Sequence, residues 1–224
     1  MKTVLITGGS GNLGTLIIKF LKAKNYRIIN ISRNKPFLLC KEDIHVSFDF
    51  LNQDSFNILK HTLQRVNKID IIIFAAAIDS YLDFYNFNTE IMDKILKVNC
   101  YSYIQLLEIL KNEDKIHNDT ILYGISSNIL EIMEKDSLAY GISKAAFEEI
   151  NRQFLKHSII REVHIIRLPF IGVNMGTIAE KDNILIKTDE QLIKREIITK
   201  LLSYLNVTMN IPSNKDYNLL SIQE

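Results

Sequence analysis

Eight residues near the N-terminus, Thr7-Gly8-Gly9-Ser10-Gly11-Asn12-Leu13-Gly14, constrain the fold of this chain more than any other stretch. They follow the apolar run Val4-Leu5-Ile6 and precede Leu16-Ile17-Ile18 and Phe20-Leu21. A buried strand, a glycine turn and an amphipathic helix in that order open a βαβ unit. Glycines let the backbone turn sharply and approach a pyrophosphate, whose charge then rests on the amides of the helix N-terminus. The spacing is Gly-x-x-Gly-x-x-Gly, a partial match to the dinucleotide fingerprint. A tight strand–helix turn without a ligand is the competing reading.

The rest of the chain repeats the alternation. A helix is predicted over 12–24 and a strand over 27–31, ending in Ser32-Arg33-Asn34; Pro36 then breaks regular structure. A strand over 44–48 leads to Asp49-Phe50, and Phe56, Leu59, Leu63 and Val66 mark a helix over 53–66. The continuous apolar run 69–74 reads as a strand buried on both faces, followed by Ala75-Ala76-Ala77. A loop over 79–88 precedes a long helix over 89–110 that carries Asn99. A strand over 119–125 runs into Ser126-Ser127, and Ser137 caps a helix reaching 157. A strand over 162–168 stops at Pro169, 174–187 is irregular, 189–205 is helical, and the tail supplies a last short strand. Such alternation predicts an α/β fold: a doubly wound parallel sheet with helices on both faces. No linker interrupts it, so residues 1–224 are expected to form a single domain. Ligands in such sheets bind beyond the C-terminal strand ends. Gly8–Gly14, Ser32-Arg33, Asp49, Ala75–Ala77, Ser126-Ser127 and Pro169 all converge there.

Composition excludes several classes. Hydrophobic residues make up 47% and charged residues 24%, and 27 basic against 26 acidic residues leave a net charge of +1. No basic block offers a surface for nucleic acid or membrane. No apolar run approaches membrane-spanning length, and the first strand begins too early for a leader, so a cytoplasmic location is expected. Cys40 and Cys100 are expected to be free thiols, and His45, His61, His117, His157 and His164 lack ligand spacing, so no metal is expected.

The chemistry-bearing residues lie further on. Tyr140-Gly141-Ile142-Ser143-Lys144 places a phenol and an ammonium one helical turn apart on the same face. A nearby lysine charge favours the phenolate and brings the phenol toward working pH as an acid or base. Ser127, at a strand end facing the same rim, can hold a substrate carbonyl, with Ser126 as its competitor. Asn99 suits a helix interior poorly, and a buried asparagine needs partners, water or neighbouring backbone.

Taken together these elements resemble the short-chain dehydrogenase/reductase family, over nearly the whole chain. The resemblance rests on Thr7-Gly8…Gly14, Asp49, Lys97-Val98-Asn99, Ile125-Ser126-Ser127, Tyr140-Gly141-Ile142-Ser143-Lys144 and Arg167-Leu168-Pro169, with the order Asn–Ser–Tyr–Lys. It implies a Rossmann-like, three-layer α/β/α domain. It also implies Tyr140 as general acid/base in the interconversion of a carbonyl and an alcohol. Lys144 would bind the nicotinamide ribose and tune Tyr140, Ser127 would polarise the substrate carbonyl, and Asn99 would position a relay water. The cofactor would lie along Gly8, Ser10, Gly11, Asn12, Leu13, Gly14, Ser32, Arg33, Asp49, Phe50, Ala75, Ala76, Ala77, Asn99, Tyr140, Lys144 and Pro169. Ser32-Arg33 stands where dinucleotide folds that prefer NAD carry a carboxylate, so NADP(H) is expected over NAD(H).

The resemblance has two departures. The glycine spacing is that of the extended branch, although the chain is too short for that branch's C-terminal domain. The segment Phe74-Ala75-Ala76-Ala77 lacks the asparagines of the short branch. Two alternatives follow: a nucleotide-sugar epimerase or reductase, and a non-catalytic NADP-binding regulator. The substrate would be a small carbonyl or alcohol, met by the loops 79–88 and 174–188. Phe84, Tyr85, Phe87, Ile142, Phe170, Ile171 and Met175 would line its pocket. The family also implies a homodimer or homotetramer through the helices around Asn99 and Tyr140, which carry Ile104, Leu107, Ile109, Phe147, Ile150 and Phe154.

Overall fold

The computed structural model describes residues 1–79, 83–128, 138–157, 159–169, 176–177, 190–210 and 217–222. The strands are β1 (Thr3–Thr7), β2 (Arg27–Ser32), β3 (Ile44–Ser47), β4 (Ile71–Phe74), β5 (Ile78–Asp79), β6 (Ile121–Ser127), β7 (Glu162–Leu168), β8 (Gly176–Thr177) and β9 (Tyr217–Ser221). The helices are α1 (Asn12–Ala23), α2 (Gln53–Leu63), α3 (Thr89–Leu96), α4 (Ser102–Asn112), α5 (Leu138–Lys156) and α6 (Glu190–Thr208). Between α3 and α4 the chain makes a π-helical turn, Lys97–Tyr101.

Seven strands form one parallel sheet in the order β3-β2-β1-β4-β6-β7-β9, the doubly wound architecture expected. All five residues of β1 and all four of β4 are buried, as strands covered on both faces must be. Alternation along β1 divides the core. Leu5 faces the cluster built on α2, α4 and α5, whereas Val4 and Ile6 face the one built on α1 and α6. In α1, Ile17, Ile18 and Leu21 turn inward at helical spacing. Strand order reverses at β1 and β4, which pair in register from Val4↔Ile71 to Thr7↔Phe74. Gly8 and Ala75 therefore flank the crevice that such a reversal opens.

Two features depart from the expected outline. The predicted helix over 89–110 is interrupted by the π turn, which shifts the helical register at Asn99. The predicted loop over 79–88 begins with β5, which pairs in parallel with β8 inside the stretch expected to be irregular (Ile78↔Gly176, Asp79↔Thr177). Pairs this short carry little periodicity, so nothing in their sequence distinguishes them from loop. Ser137, Phe170, Ile171 and Met175, and most of 174–188, lie outside the described residues.

Candidate active site

The glycine turn is built by contact rather than by composition alone. Gly8 has φ +72°, and a Cβ there would meet the Ala76 backbone at 2.8 Å. Gly14 packs against the Gly8 carbonyl, which a Cβ would approach to 2.2 Å. A Cβ on Gly9 would meet the Asn30 side-chain oxygen at 2.1 Å. The first turn of α1 has no acidic residue, and its N-cap, Gly11, offers no side-chain acceptor. The amides opening α1, at Asn12, Leu13 and Gly14, thus lack intrahelical partners, with Ser10 beside them. These residues fit a pyrophosphate.

Around the turn, Arg33 is exposed beyond β2. The Ser32 hydroxyl is buried, accepting from Asn30 Nδ2 at 2.7 Å and donating to the Asn34 carbonyl at 2.7 Å. Asp49 is exposed and accepts from the Leu51 N–H at 2.9 Å. Phe50 places its ring in the core against Phe48 and Tyr103, leaving its backbone toward the rim. Two residues given no role by sequence reasoning anchor the alanine segment. Thr7 Oγ1 accepts from the N–H groups of Ala75 and Ala76, both at 3.1 Å. The Tyr103 hydroxyl donates to the Ala76 carbonyl. A threonine closing an otherwise apolar strand was the available signal for the first.

The presumed reacting groups gather at one end of α5. Tyr140 is 4% exposed, and Lys144 Nζ lies 5.3 Å from the centroid of its ring. Lys144 is itself buried and donates to the Ile125 carbonyl at 3.0 Å. Ser127 hydrogen-bonds Tyr140. Ser126, its competitor, is buried and donates instead to Glu148 at 2.6 Å, so its hydroxyl is committed away from the crevice. Pro169 is buried just past β7. Asn99 is buried and clamps β5: its Oδ1 accepts from Ile78 N–H and its Nδ2 donates to Ile78 O, each at 2.9 Å. Its second amide hydrogen goes to Ser143 Oγ at 2.9 Å, and Ser143 in turn donates to the Tyr140 carbonyl at 2.8 Å. With both side-chain N–H groups used, Asn99 could hold a water only by its remaining lone pair or its backbone.

Electrostatics separate the phenol from the amine. Burial, then the charge of Asp79 on β5, push the Tyr140 hydroxyl above the usual tyrosine value, opposed by the Ser127 hydrogen bond. Burial brings Lys144 down to about 8, against the pull of Cys100, Asp79 and Glu148. Burial likewise pushes the Cys100 thiol up to about 11. The lowering of the phenol expected from Lys144 is therefore absent here: burial dominates, and only the Ser127 hydrogen bond draws the Tyr140 hydroxyl down.

Comparison with known proteins decides the family. The sequence profile described as short chain dehydrogenase matches residues 2–183. The chain belongs to that family. Membership makes it an NAD(P)-dependent oxidoreductase acting on CH–OH or C=O groups of small molecules. No curated protein matches the sequence. Among solved structures, a short chain dehydrogenase family protein from Francisella tularensis subsp. tularensis SCHU S4 superposes with a TM-score of 0.75. It is 18% identical, and the match covers 99% of this chain and 97% of that one. An alcohol dehydrogenase from the archaeon Thermococcus sibiricus, solved with 5-hydroxy-NADP, gives 0.76 at 17% identity over 99% and 96%. A short chain dehydrogenase from Leptospira borgpetersenii serovar Hardjo-bovis, solved with NAD+, gives 0.72 at 16% identity over 98% and 91%. At these identities the likeness speaks to the fold, the same doubly wound sheet. Among the described residues, no helix is long and apolar enough to cross a membrane.

Proposed function

We propose that the protein reduces a small carbonyl compound to an alcohol with NADPH, Tyr140 serving as the proton donor. The observation that carries this reading is the cluster of buried Tyr140 and Lys144 with half-buried Ser127 at the C-terminal end of β6. The nicotinamide supplies the hydride when bound. The chain's own residues do the rest. The amides of Asn12, Leu13 and Gly14 bind the pyrophosphate, and Arg33 faces the adenosine end, where a guanidinium suits a 2′-phosphate and its sequence neighbours Ser32, Asn34 and Lys35 bring no carboxylate. Ser127 orients the substrate carbonyl. Tyr140, kept protonated by burial and by Asp79, gives its proton to the carbonyl oxygen, and the Lys144 ammonium stabilises the phenolate left behind.

Relatives of the same fold are known with NAD+ and with an NADP analogue, so the preference for NADPH rests on Ser32-Arg33. We further propose that the chain is one domain and pairs with a second copy of itself.

The test is NADPH oxidation against a panel of ketones and aldehydes. Turnover is expected, with Tyr140→Phe reducing kcat by a factor of about 100 or more at unchanged NADPH affinity. Arg33→Asp should reverse the preference toward NADH. Tight NADPH binding without turnover on any substrate, and indifferent to Tyr140→Phe, would identify a regulator instead.

A further inference from the structure

Three consecutive residues of β6 hold three successive turns of α5. Ser127 reaches Tyr140, the Ile125 carbonyl accepts from Lys144, and Ser126 Oγ donates to Glu148. Glu148 is not among the residues assigned to the reaction, yet it lies one turn beyond Lys144 on the same helix face and is as deeply buried. Both its carboxylate oxygens are engaged. Oε1 accepts from Ser126 Oγ at 2.6 Å and from Arg167 Nε at 2.9 Å, and Oε2 accepts from Arg167 Nη2 at 2.7 Å. Arg167 sits opposite Ser126 in the β6–β7 register, two residues before Pro169. Its fork therefore grips the carboxylate bidentately, the geometry that guanidinium and carboxylate share.

A buried ammonium within reach of an uncompensated carboxylate prefers it to a neutral carbonyl, because a charge-assisted hydrogen bond is roughly twice as strong. Lys144 nevertheless bonds Ile125 O, and its Nζ stays over Tyr140. We propose that Arg167 and Glu148 are positioning residues for Lys144: the guanidinium saturates the carboxylate, which leaves the ammonium free to face Tyr140. This rests on the reductase reading for its catalytic meaning, not for its geometry.

The other groups acting on Lys144 and its neighbour Tyr140 are Asp79 from β5, Cys100 from the π turn, Tyr103 from α4 and Ser127 from β6. Cys100 is neutral at physiological pH, and Asp79 acts on Tyr140 and Lys144 alike. Glu148 and Arg167 thus form a matched pair whose removal, one charge at a time, should move Lys144 in opposite directions. Arg167→Met leaves a bare carboxylate that holds the lysine proton more tightly. Glu148→Gln removes the carboxylate charge that draws the lysine proton. The double variant removes both charges.

The experiment is an NMR titration of the protein labelled at lysine ¹³Cε, with the Lys144 signal assigned by its loss in Lys144→Met. Relative to the wild type, the midpoint should rise by about one pH unit in Arg167→Met, fall by about one unit in Glu148→Gln, and return close to the start in the double variant. The alkaline limb of carbonyl reduction should move in step. A pair that merely staples α5 to the sheet would lower the melting temperature of every variant with the midpoint unmoved, and that result overturns the proposal. Should Arg167→Met not fold, Glu148→Gln and the double variant decide alone, an unmoved midpoint in Glu148→Gln again overturning it. An absence of wild-type turnover would sink the reductase reading while the titration still judged the positioning role.

Discussion

Lys144 bears the clearest conflict between stability and chemistry at the scale of a single residue. An unfolded lysine keeps its proton up to the ordinary value of 10.5, whereas burial makes Lys144 give it up at about 8. Between those values the unfolded chain binds more protons than the folded one, so stability rises with pH across the window. Below pH 8 the whole penalty applies, as an upper bound of about 3 kcal/mol. Lys144→Met removes that penalty at the cost of leaving the Ile125 carbonyl without its donor, about 1–2 kcal/mol. We expect Lys144→Met to melt roughly 2–8 °C higher than the wild type at pH 7. The gain should vanish toward pH 10.5, and thermal scans from pH 6 to pH 10.5 would read it directly. A lower melting temperature for the variant at every pH would mean that the ammonium is better compensated than its burial implies.

At the scale of elements, the turn between β1 and α1 depends on Gly8, Gly9 and Gly14 far more than on Gly11. Gly14→Val would drive side-chain carbon into the Gly8 carbonyl and the Gly9 Cα, at 2.2 and 2.6 Å for the Cβ alone. The start of α1 must then move off the crevice, taking its amides with it. NADPH affinity should fall by a factor of about 100 or more, with stability lowered by about 1–3 kcal/mol. Gly11→Ala is the matching control. Its Cβ meets only the Gly8 carbonyl at 3.3 Å, and affinity should change by less than about tenfold. Calorimetric titration with NADPH separates the two.

The turn, the seven strands of the main sheet and the Tyr140–Lys144 pair were legible because each rests on short-range pattern: apolar runs, glycine spacing, one helical turn; adding Asn99 and Ser127 to that pair took the family resemblance. What escaped was long-range. The bond between Asn99 and Ile78 spans 21 residues, Thr7 to Ala75 spans 68, and Glu148 to Arg167 joins α5 to a strand in its middle. A charged residue within a strand, such as Arg167, signals that a partner exists but not where it lies.

At the scale of the whole molecule, the proposed pairing with a second copy requires a surface to carry it. Six apolar residues on the helices around Asn99 and Tyr140 were expected to serve an interface. Leu107, Ile109, Phe147 and Phe154 are instead consumed by the chain's own core, facing the sheet on which α4 and α5 pack. Ile104 remains 43% exposed, joined by Tyr101 at 54% one turn before it and by Ile142 on α5 at 44%. These three are costly to leave in water at about 25 cal/mol per Å² of apolar area; Tyr101 shares the π turn with Asn99, Ile104 opens α4 directly after it, and Ile142 lies on α5 with Tyr140. Pairing there would brace the π turn, and through the Asn99–Ser143 bond the start of α5, so assembly and site geometry become linked. We expect the protein to run at twice the chain mass in light scattering. Tyr101→Glu with Ile104→Glu should halve that mass while circular dichroism stays unchanged, because neither side chain packs in the core. The dissociated variant should also turn over more slowly, since Tyr140 then depends on an unbraced helix. A wild type that is monomeric at micromolar concentration would refute the pairing, and a monomeric variant with full activity would refute the linkage alone.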